Sequence, residues 1–166
     1  MILMDVNVFV HAFRRDMPDH ARYRSWLQGV VGSPQAFGVC DLVLSGFLRV
    51  VTHPKIFKQP SSWDEACNFV QVIRERTNCR HVDFGDRHWG IFTDLCRKSA
   101  ARGNLVPDAH LVALMQQHGI STIWSRDRDL RKFDGITVKD PFADRYDAGF
   151  ATPPRPPARS ARKKPR

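Results

Sequence analysis

Ile2-Leu3-Met4-Asp5-Val6-Asn7 opens the chain with three apolar residues and then, at once, a carboxylate. A short apolar run of this kind reads as a buried strand, here with Asp5 at its C-terminal end. Asn7 then reads as the cap of a short helix over 8–13. Working outward, Tyr23, Trp26, Leu27 and Val30 fall at helical spacing within 21–31, and 37–40 reads as a second strand. Asp41 reads as the N-cap of an apolar helix that stops near His53-Pro54, because a residue before proline is pushed out of helical conformation. Ser62 and Glu65 have the spacing of a capping box, opening a helix that carries Cys67, Val70 and Ile73. Residues 80–84 read as a third strand, and Trp89, Phe92, Leu95 and Cys96 mark a helix ending before Gly103. Pro107 reads as the opening of a further helix, with Leu111, Leu114 and Met115 inward and Gly119 as its stop. Residues 120–124 and 136–138 read as the last two strands. Strands separated by helices throughout predict an α/β domain with a mostly parallel central sheet of about five strands flanked by helices.

At 166 residues there is chain for about one domain, and 42% hydrophobic residues suffice for a core. No apolar run approaches the roughly 18 residues of a membrane span, and the chain start, with no basic region, does not read as a signal peptide. Cys40, Cys67, Cys79 and Cys96 form no CxxC pair and read as reduced thiols of a cytoplasmic protein. The formal charge of +9 is unevenly placed: residues 151–166 hold six Lys/Arg and no acid, which leaves a net +3 on the remainder. Five prolines in that stretch and the lack of a hydrophobic pattern predict a domain over 1–145 and a disordered basic tail over 146–166. Such a tail suits RNA phosphates through counterion release, or it simply adds solubility.

Three carboxylates stand out by position. Asp5 ends the first strand, Asp108 sits in the first turn of the helix behind Pro107, and Asp127 follows the fourth strand. In a parallel sheet, strand C-termini and the N-termini of the helices that follow share one edge, where open α/β sheets bind ligands. Residues about a hundred positions apart are therefore expected to converge. Two carboxylates about 4 Å apart repel by roughly 4 kcal/mol at an effective dielectric near 20, and without compensation one would take up a proton. A hard divalent cation removes the conflict; oxygen ligands alone favour Mg²⁺, with Mn²⁺ able to substitute. The chemistry so implied is metal-assisted phosphodiester hydrolysis. Taken singly, each acid has a plainer explanation: a cap, a helix-dipole partner, or local pairing within Ser125-Arg126-Asp127-Arg128-Asp129.

These segments resemble the motifs of PIN-domain ribonucleases, in particular the VapC toxins of type II toxin–antitoxin pairs. Ile2 to Asn7 resembles the first motif, a hydrophobic strand followed by Asp-x-Asn. Asn104 to Leu111 resembles the third, in which Asp108 opens an apolar helix. Ser125 to Asp129 is similar to the last, Ser/Thr-x-Asp-x-Asp, and Phe47 to Pro54 resembles a segment common in one VapC branch. The likeness covers about residues 1–140. It implies a Rossmann-like fold, Mg²⁺-dependent RNA cleavage, a VapB-type antitoxin and a homodimer. Carried over by position, Asp5 and Asp108 would be metal ligands and Asp127 a further catalytic acid. Asn7 and Ser125 would orient water or ligand groups, with Asp129 a weaker supporting candidate.

One departure stands out. Many PIN nucleases carry a Glu on the helix after the second strand, whereas this chain reads Leu44-Ser45-Gly46-Phe47. A degenerate module that binds RNA or antitoxin without cutting therefore competes with the nuclease. A haloacid-dehalogenase-like phosphatase is more distant, because that chemistry needs an acid where Asn7 stands. Arg49, Arg102 and Arg126 are the preferred RNA contacts, and the substrate expected is structured RNA such as tRNA or rRNA. His110 reads as a packed or surface residue, since positions two apart on a helix do not face each other. Trp124 and Phe133 read as core, and the helix bearing Trp63, Phe69 and Val70 as ordinary burial or an apolar groove for the antitoxin.

Overall fold

A computed structural model describes residues 1–142. Five short strands form one sheet in the order β3-β2-β1-β4-β5, and every neighbouring pair is parallel: β1 (Ile2–Met4), β2 (Phe37–Val39), β3 (Cys79–His81), β4 (Thr122–Trp124) and β5 (Thr137–Lys139). The chain steps outward from β1 to β3, then crosses the sheet to β4. Since such crossovers are right-handed, the two legs place their helices on opposite faces. On one face α1 (Val6–Phe13) packs against α2 (His20–Gly32) and α3 (Asp41–Val51), and α3 against α4 (Trp63–Arg74); α5 (His88–Lys98) and α6 (Leu105–Gln117) pack together on the other. β1 is central and covered on both faces, which is why Leu3 and Met4 are buried although adjacent side chains on a strand point in opposite directions. The rings of Phe9, Phe13, Phe47 and Phe69 interlock where α1, α3 and α4 meet.

Local signals set several boundaries as the sequence implies. Ser62 and Glu65 form the reciprocal capping box of α4. Gly119 ends α6 in a left-handed conformation, φ +64°, that a side chain would resist. Other boundaries move. α1 begins at Val6 and is capped by Asp5, whose Oδ1 accepts the Val6 N–H; Asn7 lies inside the helix. Asp41 is the first residue of α3 rather than its cap, and Cys40 holds that place. β3 lies at 79–81, earlier than 80–84, because Val82 continues only as a hydrogen bond to the Val39 carbonyl. α6 starts at Leu105, so Pro107 stands within its first turn, where a missing N–H is harmless. Phe133 is core, while Trp124 is half-buried and meets Trp26 edge-on at 5.1 Å. Among the described residues no helix is long and apolar enough to cross a membrane.

Candidate active site

The register brings the acidic residues together. Met4 pairs with Trp124 and Trp124 with Lys139. The next row therefore sets Asp5 beside Ser125, with Asp5 N–H donating to the Trp124 carbonyl and Ser125 N–H to that of Lys139. Ser125 is buried, and its hydroxyl donates to Asp5 Oδ2 at 2.6 Å. Asn7, two residues beyond Asp5, donates through Nδ2 to the same Oδ2 at 2.6 Å and to Ser125 Oγ at 2.9 Å. Its Oδ1 accepts the Arg126 N–H at 3.1 Å, so both ends of the amide are specified. Asp5 is thus held by three donors, including the Val6 N–H at 2.6 Å. Burial nonetheless pushes its carboxyl above the usual range, overriding those bonds, and the charge of Asp127 adds to the rise.

Asp108 enters from α6. Its carboxyl is half-buried and pushed up to about 7, first by burial, then by the charges of Asp127, Asp5 and Asp129, with only Lys132 acting the other way. Asp127 is exposed; its N–H donates to Ser125 Oγ at 2.8 Å, and its Oδ1 accepts the Asp129 N–H at 2.8 Å. Asp129 is itself paired with Lys132 at 2.7 Å. The four acids from three separate segments therefore share one electrostatic field. Their oxygen-only donor set, short of positive charge, suits a hard divalent cation. Among the described residues, however, no three His, Cys, Asp or Glu side chains gather closely enough to enclose an ion. The two observations agree for a hard cation that keeps most of its water and needs only one or two carboxylates; a fully protein-ligated ion does not fit.

The remaining expected residues are more scattered. Arg49 is exposed in the last turn of α3, and Arg102 is exposed in the loop before α6. Arg126 stands beside the pocket, but its guanidinium turns inward, against the buried ring of His11. Asp41, the nearest acid to the missing Glu, pairs instead with Arg74 at 3.0 Å and His81 at 3.2 Å. At Gly46 an added Cβ would lie 2.9 Å from Val6 Cγ2, a stiff side chain on the neighbouring helix, so an acid at that position would require Val6 to shift. His110 is partly buried, its Nδ1 2.8 Å from His88 Nε2 and its ring stacked on Phe92 at 3.9 Å. Trp63 is exposed, while Phe69 packs inward. The basic tail of 146–166 lies outside the described residues. Asp5 as helix cap and the His11 cluster were missed by reading the sequence. An Asp directly after a strand could have signalled the first; nothing local signals the second.

An all-parallel α/β sheet with helices on both faces and crowded carboxylates at its C-terminal edge places the chain among the α/β proteins that bind ligands at that edge. Within that class, the PIN domain family model matches residues 2–136. The chain is 41% identical over 139 residues to Ribonuclease VapC48 of Mycobacterium tuberculosis, which covers 84% of this chain and 96% of the relative. In structure it resembles VapBC2 from Rickettsia felis bound to a DNA fragment from their promoter, with TM-score 0.60, 15% identity, and coverage of 84% of this chain and 98% of that one. It also resembles the Mycobacterium tuberculosis toxin VapC20, described as cleaving the Sarcin-Ricin loop, with TM-score 0.58, 16% identity, and coverage of 82% and 98%. The chain belongs to the PIN-domain family.

Proposed function

We propose that this protein is the toxin of a type II toxin–antitoxin pair and that it hydrolyses phosphodiester bonds of RNA with Mg²⁺, for which Mn²⁺ can substitute. The observation that carries this is the half-buried Asp108 carboxyl at the edge where Asp5 ends β1, under the charges of Asp127, Asp5 and Asp129 with only Lys132 opposing them. Asp5 and Asp108 would hold the ion, which when bound supplies Lewis-acid stabilisation of charge on the phosphoryl group. Asp5 is kept in one orientation by the Val6 N–H, Asn7 and Ser125, so little reorganisation is needed on loading. Asp127 completes the acidic wall and can take a proton from an incoming water, being exposed and next to the pocket. Asp129, paired with Lys132, supports Asp127 through its backbone N–H.

Arg49 and Arg102 are the proposed phosphate contacts, and Arg126 is better placed as a support for the pocket than as an RNA contact. Structured RNA, tRNA or rRNA, remains the proposed substrate, because no single-strand-reading module is present in the sequence. A VapB-type antitoxin is the proposed partner, and a groove of about 890 Å³ between α1, α2 and α4, with Phe13 and Phe69 among basic and polar residues such as Arg15, Arg24 and Arg76, gives it a mixed apolar and charged seat. The domain over 1–145 with a basic tail, a homodimeric state and a cytoplasmic location belong to the same reading. The packing of Gly46 against Val6 favours, as a second reading, a module that binds without cutting.

The deciding experiment incubates total bacterial RNA with the antitoxin-free protein in Mg²⁺ or EDTA, beside Asp5→Asn and Asp108→Asn. Discrete Mg²⁺-dependent fragments that vanish in both variants are expected. No cleavage by folded protein, with Mn²⁺ also tried, moves the reading to the binding-only module.

A further inference from the structure

Behind the acidic pocket a polar cluster runs into the domain and ends on a histidine that the hydrolysis does not use. His11, on α1, is only 7% exposed. Its Nδ1 lies 2.9 Å from the Pro18 carbonyl oxygen, which requires Nδ1 to carry a proton and donate it. Arg126 Nη1 lies 3.1 Å from His11 Nε2 and 3.5 Å from Nδ1. Near-equal distances to both ring nitrogens put Arg126 Nη1 over the face of the ring and not on the in-plane lone pair of Nε2. A cation in that place is attracted by a neutral aromatic ring and repelled by an imidazolium. Tyr23 packs on the same imidazole, 4.9 Å between centroids, and its hydroxyl donates to Asp140 Oδ1 at 3.1 Å. On its other side Arg126 donates its backbone N–H to Asn7 Oδ1, the bond that fixes which end of the Asn7 amide faces Asp5 and Ser125. An Asn7 turned end for end would set a carbonyl oxygen against the Asp5 carboxylate.

We propose that His11 is a positioning residue for the hydrolysis: its ring face seats Arg126, and through the Arg126 backbone amide that seat holds Asn7, Asp5 and Ser125 in their working orientation. The consequence for catalysis rests on the nuclease reading; the seat itself does not. The electrostatics agree. Burial holds the His11 imidazole below its usual range; Arg126 pushes the same way, while the Pro18 carbonyl, Asp19 and Asp140 oppose. His20 also lies close, with its Nδ1 3.1 Å from the His11 backbone carbonyl oxygen.

The test uses the full chain as His11→Leu, which removes the ring face, and His11→Phe, which keeps it. Kinetics are measured on an RNA oligonucleotide cut by the wild type, and affinity for Mn²⁺ alone by water-proton relaxation. His11→Leu is expected to lower kcat and Mn²⁺ affinity about tenfold, the usual scale for losing a support behind a metal site, while KM stays within about twofold, as expected when no substrate contact is removed. His11→Phe is expected to recover most of both. A His11→Leu protein equal to wild type, or a His11→Phe protein impaired as far as His11→Leu, overturns the proposal. Should His11→Leu fail to fold, Arg126→Met decides, read by NMR titration of the His11 ring. A His11 that titrates at higher pH than in the wild type is expected, and an unchanged titration places no cation on the ring and overturns the seat. If the wild type cuts no RNA, the nuclease reading fails, whereas Mn²⁺ affinity and the His11 titration still decide the seat.

Discussion

Two groups of acids sit on the same C-terminal edge of the sheet and differ in their electrostatics. At the ends of β1 and β4, Asp5, Asp108 and Asp127 are crowded, Asp5 and Asp108 are partly withdrawn from water, and Asp108 is pushed up to about 7. At the ends of β2 and β3, Asp41 is exposed and meets Arg74 at 3.0 Å and His81 at 3.2 Å, with Asp83 on the far side of the same imidazole at 3.1 Å. Surface pairs of the second kind contribute little and cost little. The first kind stays unbalanced unless a cation arrives. The difference teaches where on one edge chemistry can be done: not where carboxylates are found, but where they are withdrawn from water without enough positive charge to balance them.

Substitution at each group gives the largest expected contrast. Asp5→Asn and Asp108→Asn should each lower RNA cleavage by about a hundredfold or more, the scale of losing a metal ligand or an essential electrostatic group. Asp41→Asn should leave kcat/KM within about twofold, measured on the same RNA; an Asp41→Asn loss as large as that of Asp5→Asn would merge the two groups into one site. Next in size is the attempt to supply the missing acid. Gly46→Glu must push Val6 aside, and overpacking of this kind costs about 1–3 kcal/mol. Urea denaturation should therefore report a less stable protein, with no gain in cleavage.

A smaller effect distinguishes function from stability. Removing charge from the crowded group should stabilise the metal-free protein, so Asp108→Asn should raise Tm in EDTA at neutral pH. For a chain of this size each 1 kcal/mol of relief corresponds to about 2–4 °C. Mg²⁺ should raise the Tm of the wild type and barely that of the variant. Asp41→Asn, losing two partners, should not raise Tm at all. The smallest effect concerns pH. Burial, and then the neighbouring His110, hold the His88 imidazole below its usual range. The unfolded chain protonates this residue near pH 6.5 and the folded chain only lower. The stability it contributes is thus complete above about pH 6.5 and is lost as the pH falls towards the folded value. His88→Phe should flatten the loss between about pH 6.5 and 5 in thermal melts; an unchanged slope would show that His88 is not held neutral.

Much of the fold was legible from short-range signals. The alternation of apolar strands with helices, the Ser62–Glu65 capping box and the Gly119 stop act within a few residues, so their chemistry reads directly along the chain. The convergence of Asp5, Asp108 and Asp127 was also legible, because a parallel topology assigns all strand ends to one edge whatever their separation in sequence. Errors arose where two local candidates competed. Asp5 and Asn7 are both good caps, and the choice fell to the residue that the β1–β4 ladder had already placed at the strand end.

The amino-acid sequence by itself determined the α/β class, the family motifs and the set of acids, since these depend on residue type and periodicity. Only the tertiary structure decided how each charge is balanced. Whether Arg126 reaches outward to RNA or back over His11, whether Asp41 joins the acidic pocket or pairs with Arg74, and how closely Val6 packs on Gly46 all turn on contacts between segments far apart in the chain. Burial and pairing belong to the neighbours that folding supplies, and the strength of a charge in a protein is set by those neighbours rather than by the residue alone.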